Sequence, residues 1–174
     1  MEDDNELLDI VTADDQVIGT IVRGDYDRLV NENLGYLRAI DILLVNSNGE
    51  LWIPKRPPHK KIAPNGLDYS CGGHVASGET YLESALREID EELQLKLSAE
   101  DLEFVKMFRD DDIHYIRAVY IYRSDEVPQY NPDDFVSWEW LTPEALLAKL
   151  DSGIPAKGSI RPTLVELLSL GILK

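Results

Sequence analysis

GHVASGETYLESALREIDEELQL, residues 73–95, is the stretch on which the reading of this chain turns. Thr80 and Glu83 stand at capping-box spacing, and Leu82, Leu86, Ile89 and Leu93 recur at helical spacing behind them, which predicts a helix with one buried face. At about 100° per residue, Glu88, Glu91 and Glu92 fall on an arc about 100° wide, away from that stripe. The three carboxylates are therefore expected together on one exposed face. Like charges so placed repel one another and destabilise a helix unless a cation neutralises them. Oxygen ligands without His or Cys favour Mg²⁺, with Mn²⁺ as a substitute, and Mg²⁺ commonly completes its shell with substrate phosphates. Pairing of Arg87 with Glu83 and Glu91 offers the plainer alternative of a solvated acidic face.

The spacing carries more than the helix does. Gly73, Glu79, Arg87, Glu88, Ile89, Glu91, Glu92 and Leu95 match, in register, the pattern of a glycine, five residues, Glu, seven residues, then Arg-Glu-apolar-any-Glu-Glu-any-Gly-apolar. In this the chain resembles the Nudix hydrolases. The one departure is Gln94 where the family has Gly. Glycine there permits the left-handed turn that stops the helix, and a side chain costs about 1 kcal/mol.

The resemblance implies an α+β architecture, the Nudix fold, with a mixed β-sheet sandwiched between α-helices. It implies hydrolysis of a diphosphate linkage in a small phosphorylated metabolite, a nucleoside di- or triphosphate or a derivative. By analogy the Gly73 carbonyl and the carboxylates of Glu88, Glu91 and Glu92 hold the cation, and Glu88 is the candidate base that activates water. Arg87 would orient a neighbouring carboxylate, and Glu79 would fix the loop before the helix. Family members often take a further acidic ligand from a loop just before a strand ending in Trp. Asp134, shortly before Trp138 and Trp140, is the candidate here, against the alternative of an ordinary acidic turn after Asn131-Pro132.

The rest of the chain bounds the partners. At 174 residues with 44% hydrophobic content, one domain over 1–174 is expected. With 33 acidic against 17 basic residues, the net charge of −16 repels nucleic-acid polymers and anionic membranes, so any phosphate ligand must be small and locally compensated. The most basic stretch, between Pro54 and Gly66, breaks into Pro, Gly and Asn and reads as a loop. Its Lys55, Arg56, Lys60 and Lys61 are the candidate substrate-binding cations. His74, Trp52 and Tyr69 are weaker candidates, since a backbone-satisfied loop His and core strand aromatics are the commoner outcomes. The single cysteine, Cys71, and an acidic N-terminal segment without a basic start or apolar stretch lead to the expectation of a cytoplasmic protein. No apolar run has the length of a membrane-spanning helix.

Leu7 to Val11 and Val17 to Val22 predict an N-terminal β-hairpin, and Ala39 to Val45 and Leu51 to Ile53 a second one across Asn48-Gly49. Ile113 to Tyr122 and Val136 to Trp140 read as later strands. Two helices close the chain, one opened by Thr142 and Pro143, the other stopped at Gly171.

The N-terminal layout and Cys71-Gly72-Gly73-His74 also resemble the Nudix branch that contains isopentenyl diphosphate isomerase, a rival enzyme class that moves protons on carbon with a Cys and a Glu. Aligned on Glu79, the isomerase's Cys position holds Gly72, and a one-residue shift in a strand turns Cys71 to the other face. The isomerase's later Glu has no obvious match in His114-Tyr115-Ile116-Arg117. A binding module without activity is the third possibility, and three intact repelling carboxylates argue against it.

Overall fold

The computed structural model describes residues 4–174. Strand β1 (Leu7–Val11) pairs antiparallel with β2 (Val17–Val22), Leu7 opposite Val22, across a turn in which Asp15 takes φ 63°. This is the expected hairpin, and it forms a two-stranded sheet of its own. Its Leu8, Ile10 and Ile21 pack with Leu29 of a six-residue helix α1 (Tyr26–Asn31) and with Leu37 of the next strand.

The main sheet contains β3 (Leu37–Val45), β4 (Leu51–Lys55), β5 (Cys71–His74), β6 (Leu102–Asp110), β7 (Tyr115–Arg123) and β8 (Ser137–Leu141). Its order is β6-β7-β3-β4-β8, with β5 also paired to β3. β3 and β7 run parallel, Ile40 opposite Ala118, and the other pairs are antiparallel, so the sheet is mixed. Strand alternation sends Ile40, Ile42 and Leu44 of β3 to one face, where they pack with Ala118, Tyr120 and the apolar side of helix α2 (Tyr81–Leu93). Leu43 and Val45 turn to the other face. There they meet Val119, Ile121, and Leu146, Leu164 and Leu167 from helices α3 (Pro143–Asp151) and α4 (Ile160–Ser169). Each such side chain, fully buried, contributes about 1.5–3 kcal/mol. The sheet between helices is the expected architecture.

Local signals act where expected. Thr142 Oγ1 accepts from Ala145 N–H at 3.2 Å to cap α3, and Gly171, φ 70°, follows the end of α4. Strand β6 is an addition to the expected elements. Among the described residues no helix is long and apolar enough to cross a membrane.

One feature of topology positions the site. β7 occupies one edge of β3, so β4 and β5 share the other: Val45 pairs with Leu51, while Ala39 to Ile42 pair with β5. The sheet divides between them, and residues on both sides of the division, Arg56 after β4 and Gly72 to His74 in β5, line a cleft of about 1260 Å³.

Candidate active site

Helix α2 starts with the expected capping box. Glu83 N–H donates to Thr80 Oγ1 at 3.2 Å, and Thr80 N–H donates to Glu83 Oε2 at 2.8 Å. Ala85, Ile89 and Leu93 are buried, with Leu82 and Leu86 packed beside them. The carboxylate face departs from the expectation of exposure. Glu91 is 60% exposed, but the Glu88 side chain is only 12% exposed. The cause is β5, whose glycines let the backbone lie against the helix. A Cβ on Gly73 would stand 2.2 Å from both Cδ and Oε1 of Glu88, so any side chain there would push the Glu88 carboxylate out of its present place. Beside it, Gly72 N–H donates to Glu92 Oε2 at 3.1 Å.

Arg87 ties the loop before the helix to these acids. Its Nε and Nη2 donate to Glu79 at 3.1 and 3.0 Å, Nη2 also to the His74 carbonyl at 3.1 Å, and Nη1 to Glu88 Oε1 at 2.7 Å. Ser84 Oγ donates to Glu79 Oε2 at 2.5 Å. Hydrogen bonds from Arg87 and then Ser84 outweigh the effect of burial and hold the Glu79 carboxyl below its ordinary range.

Glu88, Glu91, Glu92, Gly73 and Asp134 all line the cleft. Burial, then the charge of Glu88, pushes the Glu92 carboxyl up to about 8, with Asp68 and Asp134 adding to the effect. Glu88 is also raised, by burial, against the pull of Arg87. The site thus concentrates more negative charge than its own cations compensate. Among the described residues no three acids, histidines or cysteines stand grouped as a ready-made metal cage. Glu91 remains exposed 3.6 Å from Arg87, and Asp134 is engaged by Lys60 at 2.7 Å.

The four loop cations separate. Lys60 and Lys61 line the cleft, Lys61 paired with Asp4 at 2.7 Å. Arg56 also lines it, but is 7% exposed, donates Nε to the Ile62 carbonyl at 2.8 Å and pairs through Nη1 with Asp68. Lys55 is exposed at the end of β4 opposite Ser137, apart from the residues that line the cleft. Trp52 is fully buried against Tyr130, Phe135 and Trp138, and the Tyr69 hydroxyl bonds to Ser159 and Thr163, so neither is a stacking platform for a ligand. His74 shares a 2.8 Å hydrogen bond with the Tyr115 hydroxyl, and burial, then Arg23, brings its pKa down to about 3. It is neutral at pH 7.

Sequence reasoning passed over a second set of charges. Asp41, 5% exposed, pairs with Arg117, whose Nη1 also donates to Tyr69 Oη at 3.1 Å. Lys157 stands 3.0 Å from Asp68. Asp41, Arg117 and Lys157 line the cleft. The available signal was a charged residue inside an apolar strand: Asp41 in AIDILLV and Arg117 in IRAVYIY.

Comparison with known proteins bears on the family and the fold. Residues 35–163 match the family model described as NUDIX domain. A Nudix hydrolase of Deinococcus radiodurans is 41% identical over 162 residues, covering 90% of this chain and 90% of the relative. A crystal structure of a Deinococcus radiodurans protein, 40% identical, covers 92% of this chain and 98% of its own, with a TM-score of 0.81. An isopentenyl-diphosphate Δ-isomerase of Pectobacterium atrosepticum is 32% identical over 108 residues, 59% of this chain and 60% of the isomerase. With a domain match over most of its length and a relative this similar end to end, the chain belongs to the Nudix family and is a Nudix hydrolase.

Proposed function

We propose that the chain, acting as one domain, hydrolyses a diphosphate linkage in a small phosphorylated metabolite, a nucleoside di- or triphosphate or a derivative of one, with Mg²⁺ as the working cation and Mn²⁺ as a substitute. The observation that carries this is geometric: Glu88, Glu91, Glu92 and Asp134 line one cleft beside Gly73, with Glu88 set against the β5 glycines and Glu92 Oε2 3.1 Å from the Gly72 N–H. The donors fit a hard divalent cation, being carboxylate oxygens beside a glycine whose missing side chain opens the backbone to them. Glu88, Glu91, Glu92, the Gly73 carbonyl and Asp134 would hold it. When bound, such a cation lowers the pKa of water and offsets charge developing on phosphate oxygens.

The chain's own residues then divide the work. Arg87, fixed by Glu79, orients Glu88, which takes the proton from the attacking water. Lys60 and Lys61 supply local positive charge in a chain of net charge −16, and they draw the substrate phosphates into the cleft. The same net charge disfavours polymeric nucleic acid and anionic membranes as partners. Its single cysteine, buried and free, suits a reducing cytoplasm. The partial isomerase relative raises the second reading, but Cys71 packs in the cluster with Ile42, Ala85 and Ile89, and Gly72 carries no acid.

The test is a panel of nucleoside di- and triphosphates, nucleotide sugars and dinucleotides incubated with the enzyme and Mg²⁺, with products identified by mass. Cleavage at a diphosphate linkage, abolished by chelation, is the expected result. No cleavage across the panel, or full turnover after exhaustive chelation, overturns the proposal.

A further inference from the structure

Along β5 the contacts with the α2 carboxylates end at Gly73, and the next residue, His74, begins a different lining of the cleft. The His74 and Tyr115 rings stand 5.7 Å apart between centroids, and the Tyr115 and Tyr26 rings 5.6 Å, so rings from β5, β7 and α1 form one continuous wall. All three line the cleft and are only partly buried. Tyr26 and Tyr115 are braced by the cluster of Leu8, Ile21, Leu29 and Leu37. The polar tips are tied off within the wall: Tyr26 Oη donates to the Ile113 carbonyl at 2.7 Å, and His74 Nε2 and Tyr115 Oη share a 2.8 Å hydrogen bond. The rings are thus fixed in place, with apolar surface left to the cleft.

The floor beside this wall is a bare patch of sheet. β3 has β5 on one side and β7 on the other, and in one cross-strand row His74, Ala39 and Arg117 stand side by side. The next row on the same face is Gly72, Asp41 and Val119. Val119 packs beneath α3 and α4 with Leu146 and Leu164, whereas Ala39 is partly exposed and lines the cleft. Two residues without bulk, Ala39 and Gly72, therefore leave a slot between the ring wall and the Asp41–Arg117 pair. A Cβ on Gly72 would already lie 3.3 Å from Asp41 Oδ1. Ile113, 40% exposed, adds an apolar rim. Ring faces on one side and hydrogen-bonding side chains on the other suit a flat heterocycle, which stacks by its face and bonds by its edge. A hydrocarbon chain in the same place would strip water from Asp41 and Arg117 and offer nothing in return.

We propose that this slot is a nucleobase subsite, in which Tyr26, His74 and Tyr115 stack with the base over Ala39 while Asp41 and Arg117 read its edge. The proposal rests on the hydrolase reading and narrows it: the organic group on the diphosphate is a nucleoside, not a bare sugar or a hydrocarbon chain. The placement suits a single molecule. His74 follows Gly73 directly and its carbonyl accepts from Arg87 Nη2 at 3.1 Å, so a base against the His74 ring leaves its own phosphates beside Glu88. Tyr26 gives the segment after the N-terminal hairpin a part in substrate choice that the hydrolytic chemistry does not require.

The probes are AMP, GMP, CMP and UMP and, lacking a base, ribose 5-phosphate, none of which has a diphosphate linkage to cleave. Their binding to the full chain with Mg²⁺ is measured by calorimetry for wild type, Tyr26→Ala, Tyr26→Phe and the remote control Lys149→Met, with thermal melts to verify folding. At least one nucleotide is expected to bind at least about tenfold more tightly than ribose 5-phosphate, in wild type and control alike. Tyr26→Ala should cut that ratio at least about fivefold without weakening ribose 5-phosphate, as loss of base stacking requires, and Tyr26→Phe, keeping the ring, should restore it. No nucleotide binding more tightly than ribose 5-phosphate, or a ratio unchanged in a folded Tyr26→Ala protein, overturns the subsite. Should Tyr26→Ala fail to fold, amide spectra of the wild type decide. Shifts at Ala39, Asp41, His74 and Tyr115 induced by the nucleotide and not by ribose 5-phosphate support the subsite, and identical shifts with both overturn it. The two proposals fail separately. Base-dependent binding that Tyr26→Ala removes, without cleavage of any diphosphate, removes the hydrolase reading alone. Diphosphate cleavage with no base dependence of binding removes the subsite alone.

Discussion

Lys60 Nζ donates to Asp134 Oδ1 at 2.7 Å, joining the loop after β4 to the loop before β8 with side chains 10% and 17% exposed. One partner is a proposed phosphate ligand and the other a proposed cation ligand. Each can take up its role only when the pair opens or a bound cation and phosphate come between them. The closed pair keeps two charges of opposite sign from standing uncompensated in a largely buried place.

The two residues should therefore act as a unit. Lys60→Met and Asp134→Asn are each expected to lower kcat/KM, and the double variant to lose less than the product of the two losses. Contacting groups typically show coupling of about 0.5–3 kcal/mol. A double-mutant cycle on kcat/KM measures this, and strictly multiplicative losses would separate the residues.

Glu92→Gln should leave the fold intact and lower turnover at least about a hundredfold, because a lost carboxylate misplaces the cation that the proposed mechanism requires. At pH above about 8, where Glu92 ionises beside Glu88, the same change should also favour the folded metal-free chain. Near-normal turnover by a well-folded variant would reduce the α2 carboxylates to a charged wall.

Acid–base linkage supplies a second readout on the same residue. Glu92 is raised from 4.5 to about 8 on folding, chiefly by burial, so the native state binds its proton more tightly than the unfolded state. Its contribution to stability is therefore present at low pH and falls as pH rises from about 4.5 to about 8. His74 runs the other way: lowered from 6.5 to about 3, it adds stability as pH rises through that lower window, and the gain is complete above 6.5. Between pH 6.5 and 8 only Glu92 of the two contributes a slope. Denaturant melts of the metal-free chain should lose stability across that interval, and Glu92→Gln should flatten the loss. An unchanged slope in the variant would assign it elsewhere.

Legibility in the sequence followed the range of the interaction. Helix α2 could be read because its cap and apolar stripe are local. β6 escaped because it is a half-exposed edge strand with Glu103, Phe104, Met107 and Arg109 exposed, and a register shift between Phe104 and Lys106 breaks its alternation. α1, at six residues, is too short to show a period. Within the site, residues of the 73–95 segment could be found by spacing. Lys157 and Asp68 could not, because each is an unremarkable polar residue until the fold buries Asp68 and sets Lys157 beside it. The burial of Glu88 was equally hidden, since it depends on the approach of β5, which lies outside the helix.

Gln94 tests the one departure from the family pattern. It ends α2 at φ 55° and ψ 35°, the left-handed conformation that a side chain disfavours. Gln94→Gly is expected to stabilise the chain by about 1 kcal/mol, raising Tm by about 2–4 °C, with kcat unchanged because Gln94 is exposed and outside the cleft lining. A lower Tm would mean that the glutamine makes a compensating contact.

Cys71→Ala separates hydrolase from isomerase. Cys71 is fully buried, opposite Ile42 in the ladder, and packs with Ala85 and Ile89. Burial, then the charges of Glu92 and Glu88, raises its thiol well above the ordinary value, so it stays protonated and is no nucleophile. The next residue, Gly72, stands where the isomerase branch has its cysteine and offers no proton. Hydrolysis needs water, a cation and carboxylates but no thiol, so the variant should keep its turnover and lose about 1 kcal/mol of stability from the removed sulfur. In an isomerase the same change would remove an acid–base group worth about 10²- to 10⁴-fold. Wild type and Cys71→Ala are assayed with a nucleoside diphosphate and with isopentenyl diphosphate. Isomerisation by the wild type that vanishes in the variant, with no diphosphate cleavage by either, would overturn hydrolysis as the activity of this site.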